Sequence, residues 1–285
     1  HKTDGKLIIN QRNVTLTSAS DEKKYDGKPL TNGEVTVGGD GFATDEGASY
    51  DVTGSQTIVG SSDNEFTYTL NANTKAKNYN ITTHKGTLTV TNRDAKYEIT
   101  VEANSATAPY DGQPHSATGL KTDTFVVNGE TYTVSGLSAE VTATDADEYA
   151  NTVTGTPVVK DAAGNNVTAQ FEVHTKNGKL TITKRTVIFT SATDSKQYDG
   201  TALTNHEVTI TGDGFAEGEG ASFSVTGSRT LAGKSDNTYE YTLNSNTNAK
   251  NYNITKNTGT LTITDRETKY DITVRANSKD TTYDG

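Results

Sequence analysis

The chain of 285 residues contains no cysteine, no methionine, no tryptophan and only 4 prolines. Without cysteine, neither disulfides nor thiolate metal ligands can stabilise the fold. The absence of methionine, even at position 1, indicates a fragment of a longer chain. A formal net charge of -10 argues against a nucleic-acid partner, which needs clustered Lys and Arg, and against attraction to anionic membranes. No apolar run suggests a signal peptide or a membrane-spanning segment.

The remaining composition is typical of folded β-structure with many turns. Hydrophobic residues make up 31% and charged residues 22% of the chain, so it is not a disordered polyelectrolyte. Thr and Tyr favour half-buried pleated surfaces, whereas the abundant Gly and Asn favour turns.

A tripeptide, Tyr-Asp-Gly, recurs at a spacing the size of a domain. Successive copies are 85, 88 and 85 residues apart, and this period is longer than that of a solenoid repeat. The copies are Tyr25, Asp26 and Gly27; Tyr110, Asp111 and Gly112; Tyr198, Asp199 and Gly200; and Tyr283, Asp284 and Gly285.

Self-alignment predicts two types of repeat in alternation. Residues 1–112 align without a gap onto residues 174–285 at about 60% identity, while the middle unit shares only landmarks with them. The predicted organisation is the end of a preceding B-type repeat at 1–10, an A-type repeat at 11–92 (A1), a B-type repeat at 93–184 (B), an A-type repeat at 185–265 (A2) and the start of a further B-type repeat at 266–285.

Within each repeat, apolar and polar residues alternate with a period of two, as in Val14, Leu16 and the segment from Phe66 to Leu70. Such alternation predicts half-buried strands in a mainly antiparallel, all-β fold. The Asn128-Gly129 pair predicts a two-residue hairpin turn between two such strands, and the residues from Thr74 to Asn78 could form a single helical turn. The tyrosines expected to face the core are Tyr68, Tyr79, Tyr241 and Tyr252.

The junctions between repeats lack flexible spacers. The stretches TLTVTNRDAKYEITV (87–101) and LTITKRTVIFTS (180–191) pass from one repeat to the next without the Gly, Ser or Pro run of a linker. We therefore predict small sandwich-like domains arranged end to end as an elongated, monomeric rod.

These landmarks resemble the MBG family, the mostly-β, YDG-type repeats of bacterial surface adhesins. The residues that carry the resemblance are the Tyr-Asp-Gly turn, Leu30, Gly54, Gly60, Asn64, NYNIT at 78–82 and GTLTV at 86–90. The resemblance covers nearly the whole chain. It implies an extracellular protein, attached to the bacterial cell wall, whose repeats act as spacers without catalytic residues or cofactors.

Candidate sites have plainer structural interpretations. In the Tyr-Asp-Gly turn, Tyr is expected to pack, Asp to accept backbone N–H groups and Gly to take a positive φ. Asp145, Asp147 and Glu148 could offer oxygen ligands to calcium. The sequence lacks the full Asp, Asn and Gly pattern of a calcium-binding loop, and a solvated turn explains these acidic residues as well. The five histidines lack metal-site spacing, and no nucleophile elbow or phosphate loop is present. No enzyme activity is predicted.

Two functional hypotheses follow. In the first, the repeats are a non-catalytic stalk that projects a distal binding domain. In the second, the repeats themselves bind a host glycan or protein through exposed tyrosines. No trio of lysine, asparagine and acid can be assigned from the sequence to a Lys–Asn isopeptide cross-link.

Overall fold

The computed structural model describes residue 1 and residues 3–285, and nearly all of its regular structure is β-strand. In repeat A1 the strands are β1 (Arg12–Ser18), β2 (Asp21–Lys24), β3 (Val35–Gly39), β4 (Ala48–Val52), β5 (Gly60–Asp63), β6 (Phe66–Leu70), β7 (Tyr79–His84) and β8 (Thr87–Thr91). In repeat B they are β9 (Tyr97–Glu102), β10 (Ala106–Pro109), β11 (His115–Thr118), β12 (Thr124–Val127), β13 (Glu130–Ala143), β14 (Glu148–Asn151), β15 (Val153–Asp161), β16 (Phe171–Lys176) and β17 (Gly178–Thr183).

Repeat A2 repeats the element order of A1. Its strands are β18 (Arg185–Ser191), β19 (Asp194–Gln197), β20 (Val208–Gly212), β21 (Ala221–Val225), β22 (Gly233–Asp236), β23 (Tyr239–Leu243), β24 (Tyr252–Asn257) and β25 (Thr260–Thr264). Short 3-10 turns occupy Ala76–Asn78, Thr168–Gln170 and Ala249–Asn251. The first lies within the helical turn predicted at Thr74 to Asn78. No helix among the described residues could cross a bilayer.

The sheets are small, and they mix parallel with antiparallel pairs. In A1 the strand orders are β3-β1-β7, β2-β8-β5 and β4-β6, and A2 reproduces them as β20-β18-β24, β19-β25-β22 and β21-β23. Strand β1 pairs antiparallel with β3 but parallel with β7, and β2 pairs parallel with β8. The all-β prediction is confirmed, whereas the expectation of a mainly antiparallel fold understated the parallel pairs. A period of two is common to both kinds of strand, so alternation does not reveal the direction of the partner.

The predicted hairpin at Asn128-Gly129 is confirmed. Strands β12 and β13 pair antiparallel, with Val127 opposite Glu130. The two loop residues have φ angles of 54° and 85°, which match a turn whose twist suits the flanking strands.

The chain forms two compact units, and repeat B contributes to both. The first comprises residues 1–105, 117–141 and 150–179, and the second comprises residues 106–116, 142–149 and 180–285. In the first unit the largest of the apolar clusters draws on both A1 and B: Tyr25, Leu30, Leu88, Val90, Ile99, Val101, Tyr132, Val134, Val159, Val167 and Phe171. Because side chains of A1 and B share this core, neither repeat completes its apolar burial alone in that region.

Each A-type repeat also contains a buried asparagine that links two loops by hydrogen bonds. Asn64 is fully buried, and its Nδ2 donates to the carbonyls of Ala19 and Asn32 at 2.9 and 2.8 Å. Gly54 packs so closely that an added Cβ would lie 2.2 Å from Asn64 Oδ1. Asn237 makes the same contacts in A2. Because each amide nitrogen donates to two backbone carbonyls, the asparagines connect the loops to which these carbonyls belong.

One expectation about side-chain direction is wrong in part. Tyr79 and Tyr252 are buried, and the half-buried Tyr241 faces the core, where its ring packs edge-on against Phe189 at a centroid distance of 4.9 Å. Tyr68, by contrast, is 36% exposed. Among the described strands, β6, which carries Tyr68, pairs with β4 alone. A two-stranded sheet covers little area, so an inward position in the alternation does not guarantee burial.

Candidate functional site

The Tyr-Asp-Gly turns have one geometry in all three complete repeats. In the first copy Asp26 Oδ1 accepts the backbone N–H of Lys28 at 2.9 Å, and Gly27 has a φ of 84°. Asp111 and Asp199 accept the corresponding N–H groups at 2.9 Å, and the following glycines also have positive φ. Backbone and side-chain donation from Thr201 lowers the pKa of Asp199 strongly. The aspartate therefore serves as a turn acceptor.

The tyrosine of the first turn is buried between repeats A1 and B. Tyr25 is 1% exposed, as is Tyr132 on β13, and the two hydroxyls lie 3.3 Å apart. The Tyr132 ring packs edge-on against Phe171, with centroids 4.7 Å apart. Burial, then the hydrogen bond with Tyr132, raises the pKa of Tyr25 far above its usual value. This junction is apolar, with one hydroxyl pair inside it.

The turn beside this junction also contacts the hairpin of repeat B. Asn128 Nδ2 donates to the carbonyl of Asp26 at 3.1 Å. A Cβ on Gly27 would lie 2.3 Å from the Tyr132 hydroxyl. Gly27 therefore serves two purposes, since it accepts a positive φ and leaves room for the neighbouring repeat.

The tyrosine of the second turn enters a polar junction within the second compact unit. Tyr110 is 4% exposed, and its ring meets that of Tyr252 edge-on at a centroid distance of 5.6 Å. Both hydroxyls donate to Glu219, that of Tyr252 at 2.7 Å. Burial, followed by the hydrogen bond to the Glu219 carboxylate, raises the pKa of Tyr110 to about 12.

A second segment of repeat B reinforces this polar junction. The backbone N–H of Ala146 donates to Asn251 Oδ1 at 2.8 Å, and Asn251 Nδ2 donates to Asp145 Oδ1 at 2.9 Å. Lys250 Nζ lies 2.8 Å from the other carboxylate oxygen of Asp145. The hydrogen bonds from Lys250 and then Asn251 lower the pKa of Asp145. Asn251, which is 1% exposed, satisfies both of its polar ends across the junction.

In each turn, the backbone carbonyl of the tyrosine accepts a hydrogen bond from an arginine. Arg93, Arg185 and Arg266 donate from Nη1 to the carbonyls of Tyr25, Tyr110 and Tyr198 at 3.1, 3.3 and 3.2 Å respectively. In the third turn, Tyr198 is only half-buried. The same turn and arginine therefore occur with and without a repeat packed on the tyrosine.

The calcium candidates do not form a ligand cluster in the described part of the chain. Both oxygens of Asp145 face Asn251 and Lys250, so an ammonium already neutralises that carboxylate. Asp147 Oδ1 accepts the N–H of Glu148 at 2.8 Å, and Thr181 Oγ1 donates to Glu148 at 3.5 Å. This loop of repeat B contributes to packing against A2.

A different set of residues brings potential metal ligands together. The ligand atoms of Glu98, Glu172 and His174 lie within 4.8 Å of one another on the parallel pair β9–β16. All three side chains are exposed, so the surrounding protein would not shield a bound cation from water. Elsewhere His115 Nε2 lies 2.9 Å from Asp111 Oδ1, whereas His84 and His206 are exposed.

The residues that matter at the junctions were missed by sequence reasoning, apart from the turns themselves. Tyr132, Glu219 and Asn251 lie far along the chain from the tyrosines they contact, and no local pattern marks them. A usable signal did exist in the alignment of the repeats, because Glu46 and Asn78 occupy the positions of Glu219 and Asn251. What the arrangement does chemically is join successive repeats with buried hydroxyl, amide and carboxylate contacts. Comparisons with protein-family models, with curated proteins and with solved structures found no match for this chain.

Proposed function

We propose that this chain is a non-catalytic spacer segment of a bacterial cell-surface adhesin of the MBG type. In this proposal, sandwich-like repeats arranged end to end project a distal binding domain from the cell wall. The observation that carries the proposal is the tyrosine junction, in which each Tyr-Asp-Gly turn with a following complete repeat buries its tyrosine against that repeat. Junctions of this kind resist bending because a change of angle opens buried contacts to water.

Three further features support a mechanical role. The A-type repeats have the same sheet topology, as expected of a structural unit that is used more than once. The sequence between repeats provides no spacer. The alternation of A-type and B-type repeats makes neighbours unlike in sequence, which reduces misfolding between adjacent domains.

Small-angle X-ray scattering of the monomer tests the proposal. An elongated particle with a maximum dimension of about 100 Å is expected for three domain-sized repeats placed end to end. The matched variant Tyr25→Ala should broaden the distance distribution, because it opens the junction of the first unit. A compact profile, or an unchanged distribution in the variant, would contradict a stiff spacer.

The second candidate function, direct adhesion by the repeats, is favoured by one observation. Tyr68 is 36% exposed and lies opposite Tyr50 on the β4–β6 pair, where its ring could stack on a sugar. A glycan array with the intact chain tests this idea, with Tyr68→Ala as the matched variant. Binding that Tyr68→Ala abolishes would favour adhesion over a purely mechanical role.

A further inference from the structure

Repeat A2 receives repeat B on a defined set of residues, which we call the tyrosine-acceptor face. It consists of Arg185, Ala216, Glu219, Lys250, Asn251 and Tyr252. The face takes up the Tyr110 ring and hydroxyl, and it also binds the Asp145-Ala146 segment. Within the second compact unit this face is therefore occupied.

Repeat A1 carries the same six residues, 173 positions earlier in the sequence, without one substitution. They are Arg12, Ala43, Glu46, Lys77, Asn78 and Tyr79. Identity at all of these positions exceeds the level of about 60% over the whole alignment. The residues that contact repeat B in A2 are therefore all retained in A1.

The acceptor face of A1 already has the geometry of its counterpart. The Tyr79 hydroxyl donates to the Glu46 carboxylate and accepts the Ala43 N–H at 3.0 Å. In A2 the Tyr252 hydroxyl donates to Glu219 and accepts the Ala216 N–H, also at 3.0 Å. A face that is preformed in this way loses little conformational entropy when a partner binds.

In A1, however, the face is open. Asn78 is exposed, whereas Asn251 is 1% exposed. No described residue hydrogen-bonds to the side-chain amide of Asn78, and within the described chain Glu46 accepts from one tyrosine hydroxyl where Glu219 accepts from two. The six residues of this face, together with residues 9–11, line a surface cavity of about 310 Å³.

We propose that the acceptor face of A1 binds a B-type repeat. The tyrosine of the partner's Tyr-Asp-Gly turn packs on Tyr79 and donates its hydroxyl to Glu46. An Asp-Ala segment of the partner binds with its carboxylate at Lys77 and its backbone N–H at Asn78. Charge favours this partner, since the face offers a carboxylate to a hydroxyl and an ammonium to a carboxylate. This inference holds whether or not the chain serves as a surface stalk.

The sequence entering A1 supports the same partner. Residues 5–10, GKLIIN, match residues 178–183, GKLTIT, which close repeat B immediately before A2. Strand β17 there pairs with β10, the strand that leads into the turn carrying Tyr110. The sequence that leads into A1 is therefore of the B type, as is the sequence that leads into A2.

The test is an extended chain in which a copy of residues 93–183 replaces residues 1–10. The substitution Asn78→Ala is made in the extended chain and in the 285-residue chain, and Asn251→Ala in the latter is the reference for an occupied face. In the extended chain, Asn78→Ala should lower the unfolding midpoint by about 5 °C, because it leaves groups buried without partners. In the 285-residue chain it should have almost no effect.

Hydrogen exchange provides a readout that does not depend on the variant. Backbone amides of residues 76–81 should exchange at least about tenfold more slowly in the extended chain, since binding covers an exposed 3-10 turn. Unchanged exchange there, or an equally small effect of Asn78→Ala in both chains, would overturn the proposal. An added repeat that remains unfolded beside A1 would also count against it, because the proposed face should support its folding as A2 does for repeat B.

Discussion

The first and second tyrosine junctions begin from the same turn but differ in chemistry. Tyr25 enters a core shared with Phe171 and Val134, where its hydroxyl donates to that of Tyr132. Tyr110 instead donates to a carboxylate, next to an ion pair and a buried amide. A single local motif therefore serves two kinds of interface, and the receiving repeat determines which one forms.

Disruption of the apolar junction should reduce the stability of the protein more than any other change considered below. Tyr25→Ala should lower the free energy of unfolding of the first unit by about 3–5 kcal/mol, because it removes a large, fully buried ring and leaves a cavity. The matched variant Tyr198→Ala removes the same turn residue where it is only half-buried, and should cost less than half as much. Urea unfolding of both variants measures the difference. Equal losses would mean that Tyr25 acts mainly within its own turn.

Removal of one hydroxyl separates the two junctions more finely. Tyr110→Phe should cost about 1–2 kcal/mol, because the lost bond is to a charged acceptor. Tyr25→Phe should cost about 0.5–1 kcal/mol, since its bond is long and joins neutral groups. The comparison uses denaturant unfolding at pH 7. A greater cost for Tyr25→Phe would reverse the assignment of polar and apolar junctions.

The stability that the polar junction contributes should fall at alkaline pH. The pKa of Tyr110 rises from 10.0 to about 12 on folding, so the neutral hydroxyl stabilises the fold fully below pH 10. As the pH rises from 10 towards 12, the unfolded chain loses this proton first and stability falls. Unfolding midpoints measured across that range in wild type and Tyr110→Phe test the point. A slope that the variant leaves unchanged would assign the effect to other tyrosines.

At acid pH the polar junction contains a carboxylate, Asp145, that should respond. Because Lys250 lowers the pKa of Asp145, this carboxylate stabilises the fold above its ordinary pKa, and the contribution is lost as the pH falls through the lowered value. Asp145→Asn should flatten the acid limb of the stability curve of the second unit. An unchanged limb would show that the carboxylate makes no net contribution.

The smallest expected effect concerns the ion pair itself. Lys250 and Asp145 side chains are 48% and 41% exposed, so Lys250→Ala should lower stability only slightly, and less at high salt. Lys77→Ala is the matched control on the open face of A1 and should cost almost nothing. A loss that persists in 1 M salt would show that the Lys250 stem contributes through packing.

Much of the fold could be predicted from particular residues. The Asn128-Gly129 hairpin is predictable because two successive positive φ angles strongly favour those residue types. The bend at Gly27 is predictable for the same reason. The repeat of A1 in A2 follows from identity alone. The exposure of Tyr68 could not be predicted, because it depends on how much area a two-stranded sheet covers.

The candidate site was less accessible to sequence reasoning. The turns containing Tyr25 and Tyr110 were recognised by recurrence, but the partners Tyr132 and Glu219 were not. Glu98 and His174 likewise come together only through the parallel pairing of β9 with β16. In each case the contact joins residues remote in the chain, and a pattern of period two contains no information about which strand lies next to which.

The β-character, the unit of repetition and the conformation of the Tyr-Asp-Gly turns can be read from local sequence, because each depends on local sterics and short-range hydrogen bonding. The direction of strand pairing and the surroundings of each tyrosine depend instead on tertiary contacts. Burial, pKa and hydrogen-bond partners are set by side chains that folding brings from distant parts of the chain, as Glu219 is brought to Tyr110.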